Sequence, residues 1–444
     1  MSNSNTLYSS AYSSAAAPLR IGIAGLGTVG GGVAKLLEQQ GDLLAARCGR
    51  RIQVTAISAR SRGKDRGVDL SAVRWHEDAR ALAADPEVDV VLELIGGSDG
   101  VAKELIEQAI KAGKPVVTAN KALLALHGTA LAKAAEQAGV ILAYEAAVAG
   151  GIPVIKALRE GLAANDVRRV YGILNGTCNY ILSTMRESGR EFADVLADAQ
   201  KMGYAEADPS FDVDGIDAAH KLAILTSVAF GRELDFQGIH VEGIRHISAL
   251  DLQFAEQLGY RIKLLGIAGR TDHGIEQRVH PCMIPLDAPI AHVEGVFNAV
   301  FAEGDSVGNV LLTGRGAGAG PTASAVVADL MDIARGHHAP VLGIPAERLA
   351  PGETAPMGRH RGAYYIRLMV HDQPGVIADV AAAFRDNEVS MESVLQQARD
   401  ASEPVPVVIT THETEEAGMM RAIARIAALP AVQESPRLIR IEAL

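Results

Sequence analysis

Between Met202 and Lys221 the chain reads MGYAEADPSFDVDGIDAAHK, which gathers Glu206, Asp208, Asp212, Asp214 and Asp217 around one lysine. Asp214-Gly215 opens an apolar-periodic run through Ile216, Ala219, Leu222, Ala223, Leu225 and Thr226. That run predicts a helix with Asp214 as its cap. Asp217 and Lys221 fall one helical turn apart, so both project from one face near the helix start. Carboxylates can hold the ammonium group of an amino acid, and a nearby ammonium can give a proton to an oxygen that gains charge. A solvated i,i+4 ion pair has the same spacing, and spacing alone leaves both readings open.

The N-terminal part of the chain supplies a scaffold for such a site. Residues 19–25 (LRIGIAG) form a buried strand that runs into Gly25-Leu-Gly27-Thr28-Val29-Gly30, and a helical pattern follows through Val33, Leu36 and Leu37. Strand, GxGxxG and helix in that order is the setting of a dinucleotide fingerprint. The glycines allow a tight turn and close approach of a pyrophosphate, and the helix N-terminus faces the anion. A second strand, Ile52 to Ser58, ends in Ser58-Ala-Arg60-Ser-Arg62. No carboxylate stands there for a ribose 2′-hydroxyl, and arginines can meet a 2′-phosphate, which points to NADP with NAD as the alternative. Arginines that merely solvate the loop give the same sequence.

Val88 to Ile95 is a further strand, closed by Gly96-Gly97-Ser98, with a helix through Leu105, Ile106 and Ile110 and a strand at 115–118 beyond it. Alternating strands and helices argue for a doubly wound parallel sheet. Lys121 lies just past a strand's carboxyl end, the edge at which such sheets bind ligands. A strand from Val140 to Tyr144 leads to Glu145 and a Gly150-Gly151-Ile152-Pro153 turn. Carbonyls from such a turn, with Glu145, are able to bind a hard cation, although most Gly-Gly-Pro turns bind nothing.

Residues 153–312 read as an α+β domain, with helices near 153–163, 178–188, 191–201 and 214–230 among several strand-like runs. In Leu174-Asn175-Gly176-Thr177-Cys178-Asn179-Tyr180 the polar side chains are able to line a pocket; Cys178 reads as a packed thiol and His220 as a structural histidine. The glycine-rich stretch 313–322 lacks a Gly-Lys-Ser/Thr and is read as returning the chain, over 313–336, to the first domain and closing over its cofactor. A linker is expected over 337–362, and 363–444 follows the order βαββαβ of a ferredoxin-like unit. Residues 1–18, rich in Ser and Ala, read as a flexible tail.

Composition narrows the class. The chain has 444 residues, 48% hydrophobic and 21% charged, and a net charge of −11, which disfavours a nucleic-acid partner. No apolar run is long enough for a membrane span. Cys48, Cys178 and Cys282 are widely spaced without a metal-ligand pattern, as expected of reduced thiols in a cytoplasmic protein.

Taken together, GLGTVG, TANKALL, YEAAVAGGIPVIK, LNGTCNYIL, GYAEADPSFDVDGIDAAHK and GAGAGPTA resemble one family, homoserine dehydrogenase. The likeness runs from about Leu19 to the end and is to the monofunctional form with a C-terminal ACT domain, since no kinase region precedes the dinucleotide domain. It implies reversible NAD(P)-dependent reduction of L-aspartate 4-semialdehyde to L-homoserine, in threonine, methionine and isoleucine biosynthesis. It implies Lys221 as proton donor with Lys121 sharing the acid–base role, and Glu206 and Asp217 binding substrate with support from Asp212. Gly25, Gly27, Thr28, Val29, Gly30, Arg60, Ser98, Lys121 and Gly318 become cofactor contacts in this reading. Glu145, Val148, Gly150 and Ile152 match a sodium-like monovalent cation site. The ACT domain implies feedback by an amino acid, threonine being expected, in a homodimer or homotetramer. Aspartate-semialdehyde dehydrogenase is the competitor in chemistry, but neither Cys178 nor Cys282 offers a nucleophile with a paired histidine. A non-catalytic amino-acid sensor is the competitor in class, and the presence of both lysines speaks against it.

Overall fold

The computed structural model describes residues 16–351, 354–396 and 403–444. Its first sheet has six strands: β1 (Ala16–Ala24), β2 (Arg50–Ser58), β3 (Arg74–Trp75), β4 (Val90–Glu93), β5 (Val116–Thr118) and β6 (Leu142–Ala143). All ladders are parallel, in the order β3-β2-β1-β4-β5-β6. The central strands are continuous apolar runs because helices cover both faces. On one face the helix Thr28–Cys48 contributes Val33, Leu37 and Leu44, joined by Ala323, Val326 and Leu330 of the helix Ala319–Arg335. On the other lie Leu105 and Ile106 of the helix Val101–Lys111 and Leu123 and Leu131 of the helix Lys121–Gln137. This is the Rossmann-like doubly wound sheet expected from the sequence, and of the returning segment it is the helix Ala319–Arg335 that packs on it. The expected tail lies outside the described residues except for 16–18, which extend β1.

A second, mixed sheet carries β7 (Val167–Ile173), β8 (His240–Val241), β9 (Tyr260–Thr271), β10 (Gly274–Pro285), β11 (Phe297–Gly304) and β12 (Gly308–Arg315). The helices Gly176–Ser188, Ile216–Phe230 and Ala249–Gln257 pack on it. Ile216–Phe230 is buried almost all round, with Asp217, His220 and Lys221 among its buried residues. An apolar helix of this kind belongs in the core, so its few polar side chains stand out as functional candidates.

The C-terminal unit contains β13 (Arg361–Val370), β14 (Met391–Gln396), β15 (Val405–Thr411), β16 (Thr414–Glu415) and β17 (Arg437–Ile441), with helices Val376–Arg385 and Glu416–Ala427. Its strand order, β17-β13-β15-β14, is ferredoxin-like, as the sequence suggested. It is not a loosely tethered module. β17 pairs in parallel with β10, Cys282 opposite Arg440 and Met283 opposite Ile441, so both units share one 11-stranded sheet. Ion pairs stitch the seam: Arg278 with Glu442, Arg367 with Asp251 at 2.7 Å, and Arg440, itself held by Glu416 of its own unit at 2.5 Å, with Glu242 at 2.9 Å.

The described residues of the expected linker 337–362 are also packed rather than free. Glu136 accepts from the amides of Val341 and Ala346 at 2.9 and 2.7 Å, and Tyr144 Oη donates to the Val341 carbonyl at 2.5 Å. Its Pro, Gly and His residues suggested a loop, but Val341, Leu342, Ala346 and Leu349 bury their side chains and hold the segment down.

Candidate active site

Two helix starts face each other across a cleft. One is Lys121, first residue of its helix, behind an Asn120 cap whose Oδ1 accepts from the Leu123 amide at 3.1 Å and whose Nδ2 donates to the Gly97 carbonyl at 2.7 Å. The other is the start of Ile216–Phe230. Here the sequence expectation needs correction, because Asp214 does not cap that helix. Gly215 stands at the cap with φ 85°, a conformation that favours glycine, and Asp214 turns aside to an ion pair with Arg245. Asp217 in the first turn complements the helix dipole.

The chemistry concentrates at Asp217, which is 3% exposed. Its Oδ2 accepts from Lys221 Nζ at 2.6 Å and Asn175 Nδ2 at 2.8 Å, while Oδ1 faces Lys121 Nζ at 3.0 Å. Burial alone would raise this carboxyl, but the two ammonium groups and the Asn175 amide hold it well below the usual carboxylate range. Burial likewise pulls the Lys121 ammonium down, and the Asp217 charge, aided by Asp212 and Glu206, outweighs it and pushes it up. Lys221 also donates to the Leu174 carbonyl at 2.7 Å. An ammonium has three N–H bonds, so one is left for a ligand. Asp212 accepts from Asn175 at 2.8 Å, and burial followed by the neighbouring Asp217 charge raises it.

These groups line a cleft of about 560 Å³ together with Thr28, Val29, Gly150, Thr177, Asn298 and Gly318. Of the residues singled out in the sequence, the structure therefore brings together Lys121, Lys221, Asp217, Asp212, Thr28, Val29, Gly150 and Gly318, along with the Asn175 and Thr177 of the polar turn. Others stand apart. Glu206 is exposed on the preceding loop and reaches Lys121 only through its charge. Ser98 Oγ donates to Asp99 at 2.9 Å and does not line the cleft. Asn179 belongs to another network, donating to the Val293 and Gly295 carbonyls at 3.0 and 2.9 Å. His220 sits between Phe211 and Phe236, ring centroids 5.4 and 4.4 Å away, and burial lowers its pKa, as suits a structural residue. The Cys178 thiol is fully buried and pushed well up by burial, the opposite of an activated nucleophile.

The last of the fingerprint glycines has a direct steric cause. A Cβ on Gly30 would lie 1.9 Å from the Gly25 carbonyl oxygen, whereas at Gly27 it would meet open space. The helix behind them begins without a side-chain cap or an acidic residue in its first turn, which leaves its amides for an anion. Arg60 is exposed at the end of β2. Near it, Arg62 and Arg66 lie over Trp75 at 5.7 and 6.0 Å, and Arg66 donates to the Leu26 carbonyl at 3.2 Å. Sequence reasoning missed Arg66, because it stands well past the strand end and only the loop's return brings it back. Asn298 was missed for the same reason: it lies on β11, far along the chain, yet donates to the Leu174 carbonyl at 2.9 Å.

Glu145 is buried and accepts from the amides of Ile155 and Lys156, both at 2.9 Å. Burial, with the Asp329 charge beside it, pushes its carboxyl up to about 7. Val148 and Gly150 are buried as well, and among the described residues their carbonyls accept no hydrogen bond. The Ile152 carbonyl accepts from the Val154 amide at 2.8 Å.

The chain matches known families along most of its length. Residues 25–145 match "Homoserine dehydrogenase, NAD binding domain", 153–331 match "Homoserine dehydrogenase", and 364–430 match "ACT domain". Homoserine dehydrogenase of Pseudomonas aeruginosa is 49% identical over 434 residues, covering 96% of this chain and 99% of the relative. That of Helicobacter pylori is 41% identical over 424 residues, covering 96% and 99%. The solved homoserine dehydrogenase of Thiobacillus denitrificans has a TM-score of 0.90 at 47% identity and covers 96% of this chain and 98% of that one. A hyperthermophilic archaeal homoserine dehydrogenase solved in complex with NADPH has a TM-score of 0.61 at 27% identity, over 71% and 97%. With relatives this similar over nearly the whole length, and a buried carboxylate between two lysines beside a dinucleotide fingerprint, the chain belongs to the homoserine dehydrogenase family.

Proposed function

We propose that the protein reduces L-aspartate 4-semialdehyde to L-homoserine, reversibly, with NADP(H) as cofactor and NAD(H) as the alternative, in threonine, methionine and isoleucine biosynthesis. The observation that carries the reading is Asp217, held between Lys221 and Lys121 in a cleft that also contains the start of the fingerprint helix. When bound, the nicotinamide cofactor supplies the hydride that the aldehyde carbon receives. As charge grows on the aldehyde oxygen, the remaining Lys221 N–H stabilises it and passes on the proton, an effect worth ~10²–10⁴ in rate. Asp217, 2.6 Å away, pairs with that ammonium and holds it in the cleft. Asp212, Asp217 and, from the loop, Glu206 hold the substrate ammonium, and Lys121 shares the acid–base role. Thr28, Val29 and Gly318 border the cofactor, and Arg60, Arg62 and Arg66 favour a 2′-phosphate.

A sodium-like cation fits the Glu145 turn, where the Val148 and Gly150 carbonyls lack donors among the described residues and the Glu145 carboxylate is buried beside Asp329. Glu145, Val148, Gly150 and Ile152 would hold it, and it would neutralise buried charge behind the cleft wall. Feedback by an amino acid, threonine being expected, suits the C-terminal ACT unit. A second cleft of about 750 Å³ lies between that unit and the catalytic sheet and offers both Arg361 and Glu413, opposite charges of the kind a zwitterion requires. No helix among the described residues is long and apolar enough to cross a membrane. The three cysteines are free and buried, in keeping with a reducing cytoplasm. The assembly proposed is a homodimer or homotetramer.

The test is the initial rate of NADPH oxidation with L-aspartate 4-semialdehyde, wild type against Lys221→Ala. The variant is expected to lose nearly all turnover while binding NADPH normally. Full activity in the variant would move the proton step to Lys121, and inactivity of the wild type with either cofactor would turn the reading towards a sensor.

A further inference from the structure

The Asp217–Lys221 pair does not orient itself. Asn175, 4% exposed at the N-cap of the helix Gly176–Ser188, touches both buried carboxylates of the constellation. Its Oδ1 accepts from the Cys178 amide at 2.8 Å, which satisfies the helix end. Its Nδ2 donates to Asp217 Oδ2 and to Asp212 Oδ1, each at 2.8 Å. A primary amide has two N–H bonds, and both go to carboxylates. The orientation is forced, because the flipped amide would turn its oxygen towards two carboxylates and its NH₂ towards a backbone N–H. The preceding residue completes the fixture. The Leu174 carbonyl receives Lys221 Nζ at 2.7 Å and Asn298 Nδ2 at 2.9 Å, so it is itself held from β11.

A helix cap needs only an oxygen, and Ser or Asp serves as well as Asn. The second half of this side chain therefore has a separate use. Asp212 and Asp217 are like charges, and the shared Nδ2 is the neutral donor that lets them stand side by side without drawing either from its place. We infer that Asn175 is a positioning residue for the proton step: through its Nδ2 it fixes the Asp217 carboxylate, and through Asp217 it aims the free N–H of Lys221 into the cleft. This inference rests on the reading that Lys221 and Asp217 form the acid–base pair.

Two substitutions separate positioning from capping. Asn175→Ser keeps an oxygen for the Cys178 amide but has no donor for the carboxylates. Asn175→Asp also keeps the cap and puts a third carboxyl beside two others. Groups that crowd this position share a proton, and an acid O–H can stand in for one lost N–H. Each variant is compared with wild type for melting temperature, NADPH affinity, the pH profile of kcat, and the primary isotope effect with NADPH deuterated at nicotinamide C4. The charged or titratable neighbours that bear on the profile are Lys121, Lys221, Asp212, His220 and the buried Cys178.

Asn175→Ser is expected to melt near wild type, bind NADPH within twofold, and lose at least tenfold in kcat at every pH with an enlarged isotope effect. Asn175→Asp is expected to lose more at neutral pH and to recover as pH is lowered, the signature of a shared proton. Wild-type kcat and pH profile in the serine variant overturn the inference. So does a loss that only tracks the amount of folded protein, with the isotope effect unchanged. Should the aspartate variant fail to fold, the serine variant decides alone. A fully active Lys221→Ala overturns the acid–base reading and this inference together. An inactive Lys221→Ala beside unaltered Asn175 variants overturns the positioning role alone.

Discussion

The Asp217–Lys221 pair makes a quantitative prediction that differs for its two halves. Asp217→Asn leaves two ammonium groups, at 2.6 and 3.0 Å from the lost charge, without their common counterion. Lys221 is 8% exposed, and breaking a buried pair from one side costs about 3–5 kcal/mol. Lys221→Met removes the other half, but Asp217 then keeps Lys121 at 3.0 Å and Asn175 at 2.8 Å, so its loss is that of one charged hydrogen bond, about 1.5–3 kcal/mol. The double variant removes both charges of the closer pair and leaves Lys121, which reaches water more readily. Its cost is expected to fall short of the sum of the singles by about 1–3 kcal/mol. A chain of several domains does not melt as two states, so the assay is native-state hydrogen exchange of amides in the Ile216–Phe230 helix, which reports local opening. All three variants are expected to lose turnover. Additivity within about 0.5 kcal/mol, or a larger cost for Lys221→Met than for Asp217→Asn, would refute the reasoning.

Three further outcomes are expected. Gly30→Ala places a methyl 1.9 Å from the Gly25 carbonyl oxygen and must push the fingerprint turn outward; NADPH binding, followed by fluorescence titration, weakens by about a hundredfold, or 2.7 kcal/mol. The double substitution Arg60→Ala with Arg62→Ala removes charge from the end of β2; kcat/KM is expected to fall ~10–100-fold for NADPH, the worth of a charged hydrogen bond, and to stay unchanged for NADH. At the seam between the catalytic sheet and the C-terminal unit, burial alone would raise Glu276, but His360 and Arg278 hold it at about 2; partial burial would likewise raise Glu242, which His240 and Arg440 hold at about 2. Both carboxyls are lowered on folding, so their stabilisation is complete above their ordinary value near 4.5 and drains away as pH falls towards 2. Protease sensitivity of the β10–β17 junction should therefore rise between pH 4.5 and 2, and a rise confined to alkaline pH would contradict the assignment.

Much of this was legible in the sequence because its causes are local. The period of apolar residues gave the parallel sheet and the βαββαβ unit, since burial of a face is written at fixed spacing along a strand or helix. The fingerprint was readable because a strand, three glycines and a helix are contiguous, and the requirement at Gly30 is a clash within that same turn. Asp217 and Lys221 were readable as one-face neighbours for the same reason.

Tertiary structure decided what joins distant segments. That Asp217 bridges a second lysine, Lys121 on another helix, follows from how the two sheets pack and not from any spacing. Asn298 and Arg66 act at positions that only folding brings near, and Glu206 stays on the surface although it lies nearer to Asp217 in sequence than Lys121 does. The union of β17 with β10 was equally hidden, because strand pairing depends on hydrogen bonds between backbones and leaves no trace in side-chain period. The sequence by itself determined which helices and strands form and which residues could do chemistry. The fold decided which carboxylate meets which ammonium, because an ion pair is chosen by distance and burial, and both belong to the packed chain.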